Sequence, residues 1–166
     1  VIIIRIHIIG GAGSGKSHIA NLLQKELNIR HYDLDDIFWD NSSEHYGVKT
    51  PEDVRRRKLE RVLQFDQWIL EGVYIKWVEP SLSTADKIFV LKPSLELQER
   101  RIWHRYYKRL AGELPSKKKE TKEGIYKLID WNRNYNDTKL SQFIQEFSYK
   151  EKLIVLENNM DIYKYL

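Results

Sequence analysis

The sequence contains no cysteine, which excludes disulfide stapling, thiolate catalysis and zinc sites built on thiolate. Its five histidines are scattered without the spacing of a metal centre. Long hydrophobic runs are missing as well. The longest, "VIIIRIHII", is interrupted by Arg5 and His7 and ends in glycines, so it is too short to span a bilayer and too polar for a signal-peptide core. A cytoplasmic location with no membrane partner is expected, and because the chain starts at Val1 rather than Met, its first few residues are read as either processed or not native to the protein. There is no internal repeat and no low-complexity tract. Neither sign of charge dominates: 28 Lys and Arg face 24 Asp and Glu, a net charge of +4. That excess suits an anionic partner without separating a nucleotide from a polynucleotide.

What is present is a 166-residue chain with 42% apolar and 31% charged residues, the profile of one globular domain. Residues 1–9 are β-branched and apolar on both alternating faces, as in a central parallel strand. A helix over 15–27, a short strand at "RHYDL" and a turn at "DDIFW" follow. Residues 41–51 read as a loop. "TPEDVRRRKLERVLQF" reads as a helix with Thr50 as N-cap and Pro51 at its first position. "QWILEG" and "DKIFVL" read as strands, and "SLELQERRIWHRYYKRL" as an amphipathic helix closing at Ala111 and Gly112. A polar connection over 113–124 leads to helices at "IYKLIDWNRNY" and "KLSQFIQEF", with a break near "NDT". "KLIVLEN" and "MDIYKYL" close the chain as strand and helix. Five strands alternating with helices predict an α/β fold with a parallel sheet.

The stretch "GGAGSGKS", residues 10–17, satisfies G-x-x-x-x-G-K-[ST] between a buried strand and an amphipathic helix, the context this phosphate-binding loop requires. Glycines let successive N–H groups curl round an anion without Cβ atoms in the way. Gly11, Ala12, Gly13, Ser14, Gly15, Lys16, Ser17 and His18 are therefore the expected cradle for ATP. Lys16 would reach the β- and γ-phosphates, and Ser17 would hold Mg²⁺. In "HYDLDDIFW", Asp33 and Asp35 point the same way if the strand continues, aiming two carboxylates at one cleft to orient an acceptor hydroxyl or hold a water on Mg²⁺. Asp36 is read as a cap. Phe38 and Trp39 serve equally as stacking rings or as core. In "WILEGVY", Glu71 is expected to reach the Mg²⁺ hydration shell, and Gly72 to admit substrate closely.

On the amphipathic helix, Ile102, Trp103, Tyr106, Tyr107 and Leu110 form the expected apolar side. Arg101, Arg105 and Arg109 recur every four residues on the other. That stripe leads into the polar connection, so Arg101 and Arg105 are read as neutralising a phosphoryl group in flight, with Arg109 on the nucleotide. Lys117, Lys118 and Lys119 read as solvated surface. Asn158 and Asn159 lie where purine contacts are made in this fold, and are equally good turn formers.

"RIHIIGGAGSGKS", "HYDLDDIFW", "WILEGVY" and the order of arginine helix and lid together resemble the adenylate kinase-like proteins known as DNA topology modulation proteins, within the nucleoside monophosphate kinase and shikimate kinase group. The resemblance covers residues 5–110 well and the rest in layout. It implies a three-layer P-loop NTPase fold with a five-stranded parallel sheet of order 2-3-1-4-5 and a helical lid near 105–124. The substrate region would lie between Asp33 and Glu71. Adenylate kinases end the third strand with Asp-Gly-Phe-Pro-Arg, where this chain has Glu71-Gly72-Val73-Tyr74. The arginine that would bind a monophosphate acceptor is absent, leaving Arg55, Arg56 or Arg57 for that task. The expected activity is Mg²⁺-dependent transfer from ATP to a nucleoside, nucleotide or small alcohol. The alternative is a nucleotide-dependent DNA-binding regulator, although no helix-turn-helix or single-strand stacking platform is readable. A GTPase switch would need the sequence Asn-Lys-x-Asp, which is missing.

Overall fold

The computed structural model describes residues 4–116 and 119–166. The start of the expected first strand and the lysines at 117 and 118 lie outside the described residues. Five strands, β1 (Arg5–Gly10), β2 (His31–Asp33), β3 (Trp68–Gly72), β4 (Lys87–Leu91) and β5 (Leu153–Leu156), form one sheet of order β2-β3-β1-β4-β5. All four pairings are parallel, which requires a crossover between successive strands. The crossovers supply α1 (Lys16–Leu27), α2 (Asp35–Phe38), α3 (Glu52–Leu63), α4 (Glu79–Thr84), α5 (Leu95–Leu110), α6 (Lys122–Tyr135) and α7 (Ser141–Glu146). No helix among the described residues is long and apolar enough to cross a membrane.

Alternation along the strands divides the core. Ile6, Ile8, Ile69, Phe89 and Leu91 face α1 and the C-terminal segment. Ile9, Trp68, Leu70, Ile88 and Val90 face α3, α4 and α7. His7 shares that second face, fully buried, with Nδ1 2.5 Å from Ser81 Oγ. Burial pushes its pKa down to about 3, so the imidazole is neutral at ordinary pH. A third cluster, Ile102, Tyr106, Ile125 and Ile129, joins α5 to α6, and Ala12 packs against it.

Several local expectations are corrected. Thr50 does not cap α3: the helix begins at Glu52 behind Pro51 without a side-chain cap, and the Thr50 hydroxyl is buried with no partner. Instead its N–H donates to Phe38 O, while Asp40 N–H donates to Val48 O, closing the neck of the 40–49 loop. The "DDIFW" turn contains the short helix α2. The break at "NDT" is a π-helical turn, Asn136–Leu140, through which α6 runs into α7. The last segment, Asn159–Tyr165, is a 3₁₀ helix. On α5 the buried line is Gln98, Ile102 and Tyr106, whereas Tyr107 and Leu110 are exposed. Tyr107 falls off the i, i+4 line that faces α6, and Leu110, although on it, is the last residue of the helix and lies outside the cluster with α6.

Candidate active site

The site lies beyond the C-terminal ends of β1, β2 and β3, where open α/β sheets bind ligands. β1 ends in the glycine loop, and α1 begins at Lys16. Gly13 (φ 72°) and Gly15 (φ 91°) are left-handed, conformations that cost other residues strain. Close approach is a second requirement: a Cβ on Gly11 would sit 2.2 Å from Asn132 Oδ1, and one on Gly13 would sit 2.3 Å from Gln98 O.

The peptide groups of the loop are held from outside. Gly11 O accepts from Lys16 Nζ at 3.1 Å, Gly13 O from Arg101 Nη1 at 3.1 Å, and Ser14 O from Asn159 Nδ2 at 2.7 Å. Ala12 N–H donates to Asn132 Oδ1 at 2.8 Å. Carbonyls engaged this way cannot turn toward an anion, and the first N–H groups of α1 have no intrahelical acceptor. Burial lowers the Lys16 pKa; Arg105 adds to this, while Glu71, Asp35 and Asp33 oppose it.

Glu71 is fully buried at the end of β3. Its Oε1 accepts from Ser17 Oγ at 2.8 Å, and His31 Nε2 lies 3.1 Å away from the same oxygen. His31 Nδ1 in turn lies 3.1 Å from Asn21 Oδ1. Glu71 Oε2 is buried with no partner. Its free oxygen and the lone pairs of Ser17 are hard donors of the kind Mg²⁺ takes in ones and twos, together with phosphate oxygens and water. Among the described residues no group of three His, Asp or Glu side chains could hold a metal ion by itself. Both residues expected at the metal are thus adjacent.

Asp33 pairs in register with Glu71 across β2 and β3. Burial, and then the Glu71 charge, push its pKa up to about 6. The strand does not continue to Asp35. The chain turns into α2, Asp33 Oδ1 accepts from Asp35 N–H at 2.9 Å in an Asx-type turn, and Asp36, expected as a cap, lies inside the first turn of a helix that has no side-chain cap. Asp35 Oδ1 accepts from Tyr74 Oη at 2.6 Å. Burial, and then Asp35, raise the Tyr74 pKa and keep its hydroxyl protonated. Tyr74 stacks on Phe38, their centroids 4.6 Å apart, and Arg55 lies over Phe38 and Trp77 at 4.8 and 5.2 Å. Phe38 is therefore wall rather than free stacking surface. The close approach at Gly72 is made by the chain itself, since a Cβ there would meet Leu34 Cβ at 3.0 Å.

Two cavities lie near these strand ends, and one of them borders the loop. One of about 1050 Å³ is bounded by Gly13, Gly15, Lys16, Ser17, His18, Arg101, Arg105 and Asn159. Asn158 caps the final segment by accepting from Met160 N–H, whereas Asn159, besides holding Ser14, keeps Oδ1 buried without a partner. Desolvation, Arg109 and Arg101 lower the Arg105 pKa, with Glu120 opposing. The other cavity, about 570 Å³, is bounded by Asp35, Asp36, Trp39, Asp40, Glu44, Arg109 and Glu120. Arg109 sits here rather than along the first cavity, paired with Glu120 at 3.2 Å. Sequence reasoning missed Gln98, Asn132, Tyr74, His31 and Glu120. The one available signal was an amide placed on the apolar stripe of each of α5 and α6.

No model of a known protein family matches the chain. The uncharacterized protein YqaC of Bacillus subtilis (strain 168) is 30% identical over 110 residues, 66% of this chain, and the chain spans 60% of that protein's length. Among solved structures, a shikimate kinase from Bacteroides thetaiotaomicron superposes with a TM-score of 0.60 at 16% identity, covering 95% of this chain and 88% of that one. A shikimate kinase from Acinetobacter baumannii in complex with shikimate gives 0.61 at 14% identity, covering 98% and 90%. The chain thus has the P-loop kinase fold of these enzymes, with the sheet order 2-3-1-4-5.

Proposed function

We propose that the protein is a phosphotransferase that moves the γ-phosphoryl group of ATP to a hydroxyl of a small acceptor. The observation that carries this reading is the pairing of a braced glycine loop, its lysine folded over it, with a separate acceptor cavity that begins at Asp35. Gly13, Gly15, Lys16 and Ser17 bind the polyphosphate, and Ser17 with Glu71 holds Mg²⁺. That ion supplies positive charge to the phosphate oxygens. Asp35, kept in place by Tyr74, orients the acceptor hydroxyl. The acceptor oxygen bonds to the γ-phosphorus, the bond from that phosphorus to the bridging oxygen breaks, ADP leaves with the electron pair, and the acceptor proton passes to Asp35. Arg105, on the wall of the nucleotide cavity, offsets charge on the transferring group.

The charge of the second cavity narrows the acceptor. Asp35, Asp36, Asp40, Glu44 and Glu120 border it, and Arg109, the arginine on its wall, is already paired. Such a wall repels phosphomonoesters and carboxylates and suits a neutral or aminated polyol. Shikimate, held by the Acinetobacter neighbour, is a carboxylate and disfavoured on this ground. The DNA-binding reading draws little from the arginine stripe, because Arg101 is engaged with Gly13 and Arg109 with Glu120. The narrower kinship with DNA topology modulation proteins rests on sequence motifs alone. ADP release from ATP and Mg²⁺, measured across nucleosides, nucleotides, polyols and amino alcohols, tests the proposal. Acceptor-dependent release with a neutral or aminated hydroxyl compound is expected. A phosphorylated best acceptor overturns the charge argument, and calorimetry showing no heat with any common triphosphate overturns the whole reading.

A further inference from the structure

Three carboxamides, Gln98, Asn132 and Asn136, are buried to 0%, 0% and 3% exposure beneath the glycine loop. We infer that they form a directional relay through which α5 and α6 set the shape of the phosphate loop, with Asn132 as its positioning residue. The inference rests on the proposed reading of that loop as a polyphosphate grip. Its polarity follows from the chain ends. Ala12 N–H can only donate, so the Asn132 oxygen must accept (2.8 Å), and Asn132 Nδ2 must donate to Gln98 Oε1 (2.9 Å). Gln98 Nε2 then donates to Pro93 O at 2.8 Å, a carbonyl that can only accept. No amide in the chain can flip without leaving two like groups face to face, and an unsatisfied buried polar group is costly.

Asn136 completes the arrangement. Its Nδ2 lies 2.8 Å from Asn132 O and 3.2 Å from Gln98 Oε1. Its backbone carbonyl accepts from Ser141 Oγ at 2.8 Å. The π-helical turn starts at this residue, and such turns are frequent at functional sites. Gly11 is matched to the relay, since the oxygen of Asn132 occupies the space of a Cβ there. A packing role alone would be served by apolar residues, as Ile102, Ile125 and Ile129 do beside it.

The test separates the relay from bulk stability. In ¹⁵N-resolved hydrogen exchange of the ligand-free protein, Gln98→Ala removes a side chain whose hydrogen bonds go to Pro93, Asn132 and Asn136 rather than to the loop, yet is expected to speed exchange of the Ala12 amide at least tenfold. Leu59→Ala, a core deletion on α3 in a cluster that Ala12 does not join, is expected to leave it within threefold after correction for global stability. Equal effects from the two variants, or no effect from Gln98→Ala, overturn the relay. In calorimetry with ADP, Asn132→Ala is expected to bind at least tenfold more weakly than wild type, and Leu59→Ala within twofold. Asn132→Ser, which keeps an oxygen at shorter reach, serves if the alanine variant does not fold, and should fall between wild type and that loss. ADP affinity of Asn132→Ala or Asn132→Ser unchanged from wild type also overturns the relay. Wild-type protein that binds no ADP would defeat the reading of the loop, while the exchange experiment would still decide the relay.

Discussion

The two sides of the site are built by opposite means. On the nucleotide side the loop's peptide groups are committed to Lys16, Arg101, Asn159 and Asn132, and these contacts come from four separate helical segments. The shape there is fixed before any ligand arrives, which removes ordering cost from binding. On the acceptor side, carboxylates crowd together. Asp33 is pushed up to about 6 by burial and by Glu71, and much of the wall is the 40–49 loop, tied at its neck. On the proposed reading, a preformed grip faces a charged pocket whose repulsion a bound acceptor would relieve.

Lys16→Ala should have the largest effect and would break the contrast at its strongest point. Turnover should drop at least about a thousandfold, the scale on which loss of transition-state charge stabilisation acts, while thermal unfolding shifts little. ADP release at saturating ATP is the check, and a loss under tenfold would mean that the grip does not depend on its ammonium. Glu71→Gln keeps the side-chain shape and removes the charge beside Ser17. Turnover should fall about 10- to 100-fold, with the Mg²⁺ concentration for half-maximal rate moving upward. An unchanged Mg²⁺ dependence would detach Glu71 from the metal.

Stability against pH sharpens the contrast further. His7 has a folded pKa below its unfolded value, so its neutral burial stabilises fully above about pH 6.5, and that stability is lost as pH falls toward 3. Asp33 has a folded pKa above its unfolded value, so its contribution is best below about pH 4 and is lost as pH rises through 6. Between pH 7 and 5 the two oppose each other. Urea unfolding of the wild type should lose about 1 kcal/mol over that interval, and Asp33→Asn about 2 kcal/mol, having lost the compensating term. Asp33→Asn should also be more stable than wild type at pH 7 by about 1 kcal/mol, discounted for its partial exposure. A less stable variant at pH 7 would show that Asp33 is braced rather than strained. The smallest effect belongs to Thr50→Val: with no capping bond to lose, stability should stay within about 0.5 kcal/mol instead of falling by the ~1 kcal/mol typical of a true cap.

Legibility in the sequence follows the same division. The grip's inner half was readable because Gly13, Gly15, Lys16 and Ser17 are contiguous, and backbone geometry there is set by local residue type. The sheet order came with the family resemblance, and strand positions came from alternation. The outer half of the grip was hidden, since Asn132 and Asn159 reach Ala12 and Ser14 from distant parts of the chain. Asp35 was misplaced because extrapolating the strand ignored how readily Asp33 bonds the backbone two residues on. Thr50 looked like a cap by type and spacing, yet the loop neck claimed its backbone. The acidic cavity gave no local signal, as it joins residues near 36, 44 and 120 that only the fold brings together.

The contact between Asn159 and Ser14 spans 145 positions. During synthesis the glycine motif emerges from the ribosome well before its outer brace, which is translated 145 positions later. A nascent chain stalled before residue 159 would carry the whole signature with one of its four clamps missing. On the proposed reading, full competence for nucleotide capture would therefore wait until residue 159 has been made.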